Sequence, residues 1–90
     1  MAKKRVIDVR EKNEYDREHI PGAQSIPVSE MDERHKELNK DDEIVVVCNR
    51  GGQRSQKAAE ILNEKGYEHV EIMEGGMSGW KAGRQDNESQ

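Results

Sequence analysis

Ile44-Val45-Val46-Val47-Cys48-Asn49-Arg50-Gly51-Gly52-Gln53-Arg54-Ser55 is the stretch from which the fold can be read. Four successive aliphatic β-branched residues leave no polar face, the pattern of a strand buried on both sides within a parallel sheet. The run ends at the only cysteine of the chain. A loop rich in Gly and Arg follows, and then a helix from about Ser55 to Lys65 with Ala58, Ala59, Ile61 and Leu62 on one face. Gly66 is its natural C′ stop. Strand, tight loop and helix in this order place Cys48 at the carboxyl end of the most buried strand, where parallel α/β sheets bind their ligands.

Working outward, Arg5–Arg10 reads as a strand. Asn13–His19 reads as a short helix with Asn13 as N-cap, stopped by Ile20-Pro21-Gly22. Ser25–Val28 is extended, and Pro27 confines it to a sheet edge. Ser29-Glu30-Met31-Asp32 has the form of a capping box, opening a helix to about Leu38 with Met31 and Leu38 inward. Asn39–Asp42 is a turn, His69–Met73 a further strand, and Gly75–Trp80 a glycine turn leading into a terminal helix. Alternation of strands and helices predicts an α/β fold with a parallel sheet of about four strands flanked by helices. The expected domain spans residues 1–82, and the polar segment 83–90 is expected to be disordered.

Ninety residues make one domain, burying roughly 60–65% of the unfolded surface. With no Phe and 31% hydrophobic residues, the core must be aliphatic. Charges of both signs are interspersed and sum to −4; no basic block tracks a phosphate backbone, so nucleic acid is not an expected partner. No run reaches the length of a membrane span, and Met1–Arg5 lacks the apolar segment of a signal peptide. A single cysteine excludes an intramolecular disulfide. The expected setting is a reducing cytoplasm.

The loop after Cys48 has the makings of a thiolate site. A thiol titrates near 8.5, and a helix N-terminus or a neighbouring cation lowers that value. Arg50 and Arg54 flank the cysteine, and Gly51-Gly52 lets the chain curl so that N–H groups converge. Such a nest holds a thiolate, a persulfide or an oxyanion, with Arg54 placed to grip a tetrahedral oxyanion. Cys48 is the expected nucleophile, with Asn49, Arg50, Gly51, Gly52, Gln53, Arg54 and Ser55 around its substrate. The bland alternative is a cysteine that is merely a small buried hydrophobe at a strand end. The reactive reading requires that the sulfur not be walled off from water.

These residues resemble a known family. Ile7-Asp8-Val9-Arg10, Glu14-Tyr15, His19-Ile20-Pro21-Gly22-Ala23 and Ser25-Ile26-Pro27 resemble the first signature of the rhodanese-like domain. Cys48 with Gly51, Arg54 and Ser55 resembles its active loop, and Gly66-Tyr67 and Gly75-Gly76 with Trp80 its closing signature. The resemblance implies a three-layer fold and a single-domain thiosulfate sulfurtransferase. In that chemistry the cysteine takes sulfane sulfur as a persulfide and passes it to cyanide or a thiol. No metal or organic cofactor is implied. The first strand lies where most members already have an extra strand and helix, so the chain resembles the shortest members, and the family's topology gives strand order 2-1-3-4. The last strand is then an edge; a monomer is expected, and pairing of that edge into a homodimer is the alternative.

The loop departs from the family. Five residues, Asn49 to Gln53, separate Cys48 from Arg54, where rhodanese loops commonly have four. This spacing resembles the cell-cycle phosphatases and arsenate reductases, a competing reading. Val47 stands where those phosphatases carry His, and Gln53 where the cell-cycle enzymes carry an acid; an amide cannot protonate a leaving group. A third reading is a sulfur-carrier or binding module without turnover. Elsewhere, Asp8 and Arg10 are expected to form a partly buried ion pair, and His19 to pack in the turn before Pro21. His35, His69 and the helix face Glu30–Glu37 are expected to be solvated, and Trp80 to act as a packed lid. The histidines share no metal-ligand spacing.

Overall fold

The computed structural model describes residues 3–49, 52–73 and 76–77. Arg50, Gly51, Gly75, the lid at Trp80 and the tail 83–90 all lie outside the described residues. The chain runs β1 (Lys4–Asp8), α1 (Lys12–Arg17), β2 (Gln24–Ser25), α2 (Met31–Arg34), β3 (Glu43–Val47), α3 (Gln53–Glu64) and β4 (Val70–Ile72). Short 3₁₀ turns, Val28–Glu30 and His35–Glu37, flank α2. The strands form one parallel sheet in the order β2-β1-β3-β4, as expected.

The two central strands pair in register from Lys4 opposite Glu43 to Asp8 opposite Val47. Because side chains alternate along a strand, Ile7 and Val9 join Ile44, Val46 and Cys48 on one face. Met31, Leu38, Ala58, Leu62 and Tyr67 close over them to form an aliphatic core. Asp8, Val45 and Val47, on the opposite face, are buried as well. β3 is therefore buried on both faces, as its unbroken apolar run predicts.

α3 ends in a Schellman motif. Gly66 adopts φ +97°, the Gly66 N–H donates to Asn63 O (3.1 Å), and the Tyr67 N–H donates to Leu62 O (3.0 Å). Positive φ is the reason for glycine here. The motif turns Tyr67 back onto the core, where its hydroxyl donates to His35 O (2.6 Å) and Leu38 O (3.1 Å).

Three local expectations are corrected. The N-cap of α1 is Glu11, not Asn13: the Glu14 side chain reaches back to the Glu11 N–H (3.2 Å), so the cap lies two residues earlier. Ser29 caps nothing, because it lies within a 3₁₀ turn that starts at Pro27 and runs into α2. His35 is half-buried, with its ring edge-on to Tyr67 and Nδ1 3.3 Å from the Tyr67 hydroxyl. His19 packs as expected, stacked on Tyr15 with Nδ1 2.9 Å from Tyr15 O.

Leu62 is fully buried between α3 and the sheet and also anchors the Schellman turn. Leu62→Ala is expected to lower unfolding stability by about 2–5 kcal/mol, read as a fall in the urea midpoint with little change in slope.

Candidate active site

The carboxyl ends of β1 and β3 emerge side by side. The Val9 N–H donates to Val47 O (2.9 Å), and the Met77 N–H donates to Cys48 O (2.7 Å), so the backbone at the cysteine is tied down on both sides. Cys48 lies at 3% exposure against the core, almost closed to water, which is contrary to the open sulfur that the reactive reading expects. Its sulfur accepts the Gly52 N–H at 3.1 Å. Gly52 is the N-cap of α3, so the amide aimed at the sulfur belongs to the positive end of a twelve-residue helix. Gly52 has φ −94°, and a Cβ there would meet nothing within 4 Å; its part in the cup is the amide, not a left-handed turn.

Two opposing influences act on the sulfur. Apolar packing favours the neutral thiol; an N–H donor, a helix N-terminus and a guanidinium favour the thiolate. Arg54 lies in the first turn of α3, and the Cys48 charge is among those that raise its pKa. The largest cause of that rise is Glu14, whose Oε1 lies 2.8 Å from Arg54 Nη1.

Glu14 was seen in the sequence only as part of a signature, yet it spans the loop. Oε2 accepts from Asn49 Nδ2 (3.0 Å) while Oε1 holds Arg54, so one carboxylate ties the residue after the cysteine to the arginine that ends the loop. Arg54 above all, with the Glu11 backbone and Asn49, holds the Glu14 carboxyl at about 2 against an ordinary 4.5. Behind it, Arg10 grips Asp8 through Nη2 (2.7 Å) and Nε (3.0 Å), donates to Glu18 O (2.7 Å), and approaches Asn49 Oδ1 (3.5 Å). The Asp8–Arg10 pair is fully buried rather than partly so, and its main effect on Arg10 is a raised pKa through the Asp8 hydrogen bond.

Of the expected site residues, the structure brings Cys48, Asn49, Gly52, Arg54 and Ser55 to this end of the sheet; Gln53 is exposed at the start of α3. Among the described residues, the buried Ser55 hydroxyl has no hydrogen-bond partner, a state that calls for an explanation. A cavity of about 340 Å³ lies at the opposite end of the sheet, lined by Lys4, Glu43, Glu68, His69 and Glu71. Among the described residues no group of three or more His, Cys, Asp or Glu is placed to hold a metal, and no helix is long and apolar enough to cross a membrane.

The Glu14 carboxyl has a lowered pKa in the folded protein, so its stabilising contribution is complete above its ordinary value near 4.5 and is lost as the pH falls towards 2. The pair is about one-third exposed, and solvent screening reduces its worth to about 1 kcal/mol. The stability difference between the wild type and Glu14→Gln is expected to hold that size from pH 5 to 7 and to vanish near pH 2, as measured by urea unfolding at each pH.

Comparison with known proteins gives the family. The rhodanese-like domain family matches residues 1–83. The thiosulfate sulfurtransferase PspE of Escherichia coli is 48% identical over 67 residues, covering 72% of this chain and 64% of that protein. YrkF of Bacillus subtilis, whose name assigns it provisionally to sulfur carriage, is 41% identical over 75 residues, covering 83% of this chain and 40% of that protein. The chain thus spans less than two thirds of either relative. A solved structure titled as a rhodanese with anions from E. coli superposes with a TM-score of 0.75 at 42% identity, covering 83% of this chain and 89% of that one. A parallel sheet in 2-1-3-4 order, a cysteine beneath a helix N-terminus and a family match along most of its length make this chain a member of the rhodanese-like domain family.

Proposed function

We propose that this domain is a sulfurtransferase that carries sulfane sulfur on Cys48. The observation that carries the reading is the Gly52 N–H donated to the Cys48 sulfur at the N-terminus of α3, with Arg54 in the same field. The Cys48 thiolate attacks the outer sulfur of thiosulfate, the S–S bond breaks, and sulfite leaves with the bonding electrons. The persulfide then occupies the cup. Cyanide or a thiol attacks its terminal sulfur, and Cys48 departs as the thiolate it began as. The loop residues Asn49 to Ser55 surround the donor, Arg54 supplies charge, and the unpartnered Ser55 hydroxyl donates to the bound sulfur. The donors and acceptors proposed are small molecules, and a sulfur at 3% exposure has to become more open before either reaches it. The reading needs no metal or organic cofactor, and it applies to this domain as a monomer in a reducing compartment.

Incubation with excess thiosulfate is expected to add the mass of one sulfur atom to the intact protein. Cys48→Ser is expected to abolish the gain, and cyanide to reverse it with release of thiocyanate. No gain, or a gain that survives Cys48→Ser, would defeat the reading; turnover of an aryl phosphate or arsenate without sulfur transfer would favour the five-residue loop's other relatives. A stable persulfide that neither cyanide nor a small thiol discharges would identify a carrier.

Arg54→Ala removes a cation and leaves Glu14 uncompensated beside the sulfur. Both changes disfavour the thiolate. The pH midpoint of Cys48 alkylation by iodoacetamide is therefore expected to rise by about 0.5 unit or more, with weaker use of thiosulfate; an unchanged midpoint would remove Arg54 from the site.

A further inference from the structure

We propose that the outer edge of β4 is a docking site for an extended segment of a partner protein in which aliphatic and basic residues alternate. Docking there does not depend on the chemistry of Cys48.

β4 ends the sheet, and among the described residues its one neighbouring strand is β3. The Ile44 N–H donates to His69 O (2.8 Å), and the Met73 N–H donates to Val46 O (3.0 Å). His69, Glu71 and Met73 therefore turn their backbone groups towards β3. By alternation, Val70 and Ile72 turn theirs outward, where no described strand pairs with them. Unpaired N–H and C=O groups along an edge are a template for an added strand. Ile72 lies on this edge and is, among the described residues, the only large hydrophobic side chain left exposed, at 37%.

The two faces of β4 differ in chemistry. Val70 packs against the core, and Ile72, two residues on, shares its face. Glu71 points to the other face and lines the cavity of about 340 Å³ together with Lys4, Glu43, Glu68 and His69. Three carboxylates against one ammonium group make that cavity complementary to a cation. A strand added beside β4 continues the pleat. Its alternate side chains lie along Val70 and Ile72, where aliphatic groups gain burial. Those between them reach towards Glu71 and the cavity, where Lys or Arg gains a partner. A second copy of β4 is a poor occupant by the same reasoning. Antiparallel pairing about Glu71 sets two carboxylates directly opposite each other, which is destabilising.

The test is amide NMR of the full chain with three end-blocked peptides, Val-Lys-Val-Lys-Val, Val-Glu-Val-Glu-Val and Val-Lys-Pro-Lys-Val, with light scattering to give the mass. In the free protein the Val70 and Ile72 amides are expected to exchange rapidly with solvent. The basic peptide is expected to shift resonances along Glu68–Met73, to slow exchange at Val70 and Ile72, and to bind about tenfold more tightly than the acidic one at low ionic strength. The proline peptide keeps the charge but loses a ladder donor, so it is expected to give no such protection. Glu71→Lys is expected to weaken the basic peptide about threefold or more and to favour the acidic one. Glu68→Gln is expected to weaken the basic peptide too. No shift at millimolar basic peptide, equal binding of the basic and acidic peptides, shifts centred away from β4, or protection by the proline peptide each overturns the proposal. So do Val70 and Ile72 amides already protected in the free chain, whether by its own remaining residues or within a stable dimer. The wild-type peptide comparison holds whether or not the variants fold.

Discussion

Everything at the working end of this domain depends on the in-register parallel pairing of β1 with β3. That ladder sets Asp8 opposite Val47, so the chain leaving β1 and the chain leaving β3 emerge at one height. The buried Asp8–Arg10 pair stands beside the cysteine because of it. A slip of one residue would invert the faces of β3, bringing Val45 and Val47 to the core side and carrying Cys48 away from it.

The sulfur is consequently held in a position of conflict. Its side chain belongs to the aliphatic core, yet it accepts a hydrogen bond from the N-cap amide of α3. Core packing surrounds it with apolar side chains, and the helix end gives it an electrostatic partner. Arg54, whose charge acts on the sulfur, is itself paired with Glu14 from an element 40 residues away.

Much of the fold was legible from short-range pattern. The unbroken run Ile44–Val47 implied the central strand, Gly66 marked the end of α3, and Pro27 marked an edge; all three depend on backbone constraints that act within a few residues. Local chemistry misled where two signals of equal range competed. Asn13 is a good cap by propensity, but Glu11 and Glu14 satisfy each other's amides reciprocally, so the helix starts earlier. Ser29 lost its cap because Pro27 begins a 3₁₀ turn that draws the serine inside.

The amino-acid sequence by itself determined the order of the elements, the placing of Cys48 at a strand end and the presence of Arg54 in the helix that follows. Those follow from periodicity, breakers and residue type, which are local. Only the tertiary structure decided that Glu14, 35 residues from Asn49 and 40 from Arg54, clamps both, and that Tyr67 pins the carbonyls of His35 and Leu38. Such pairings depend on how separate elements pack on the sheet, and a carboxylate on an exposed-looking helix turn carries no local mark of the partner it will meet.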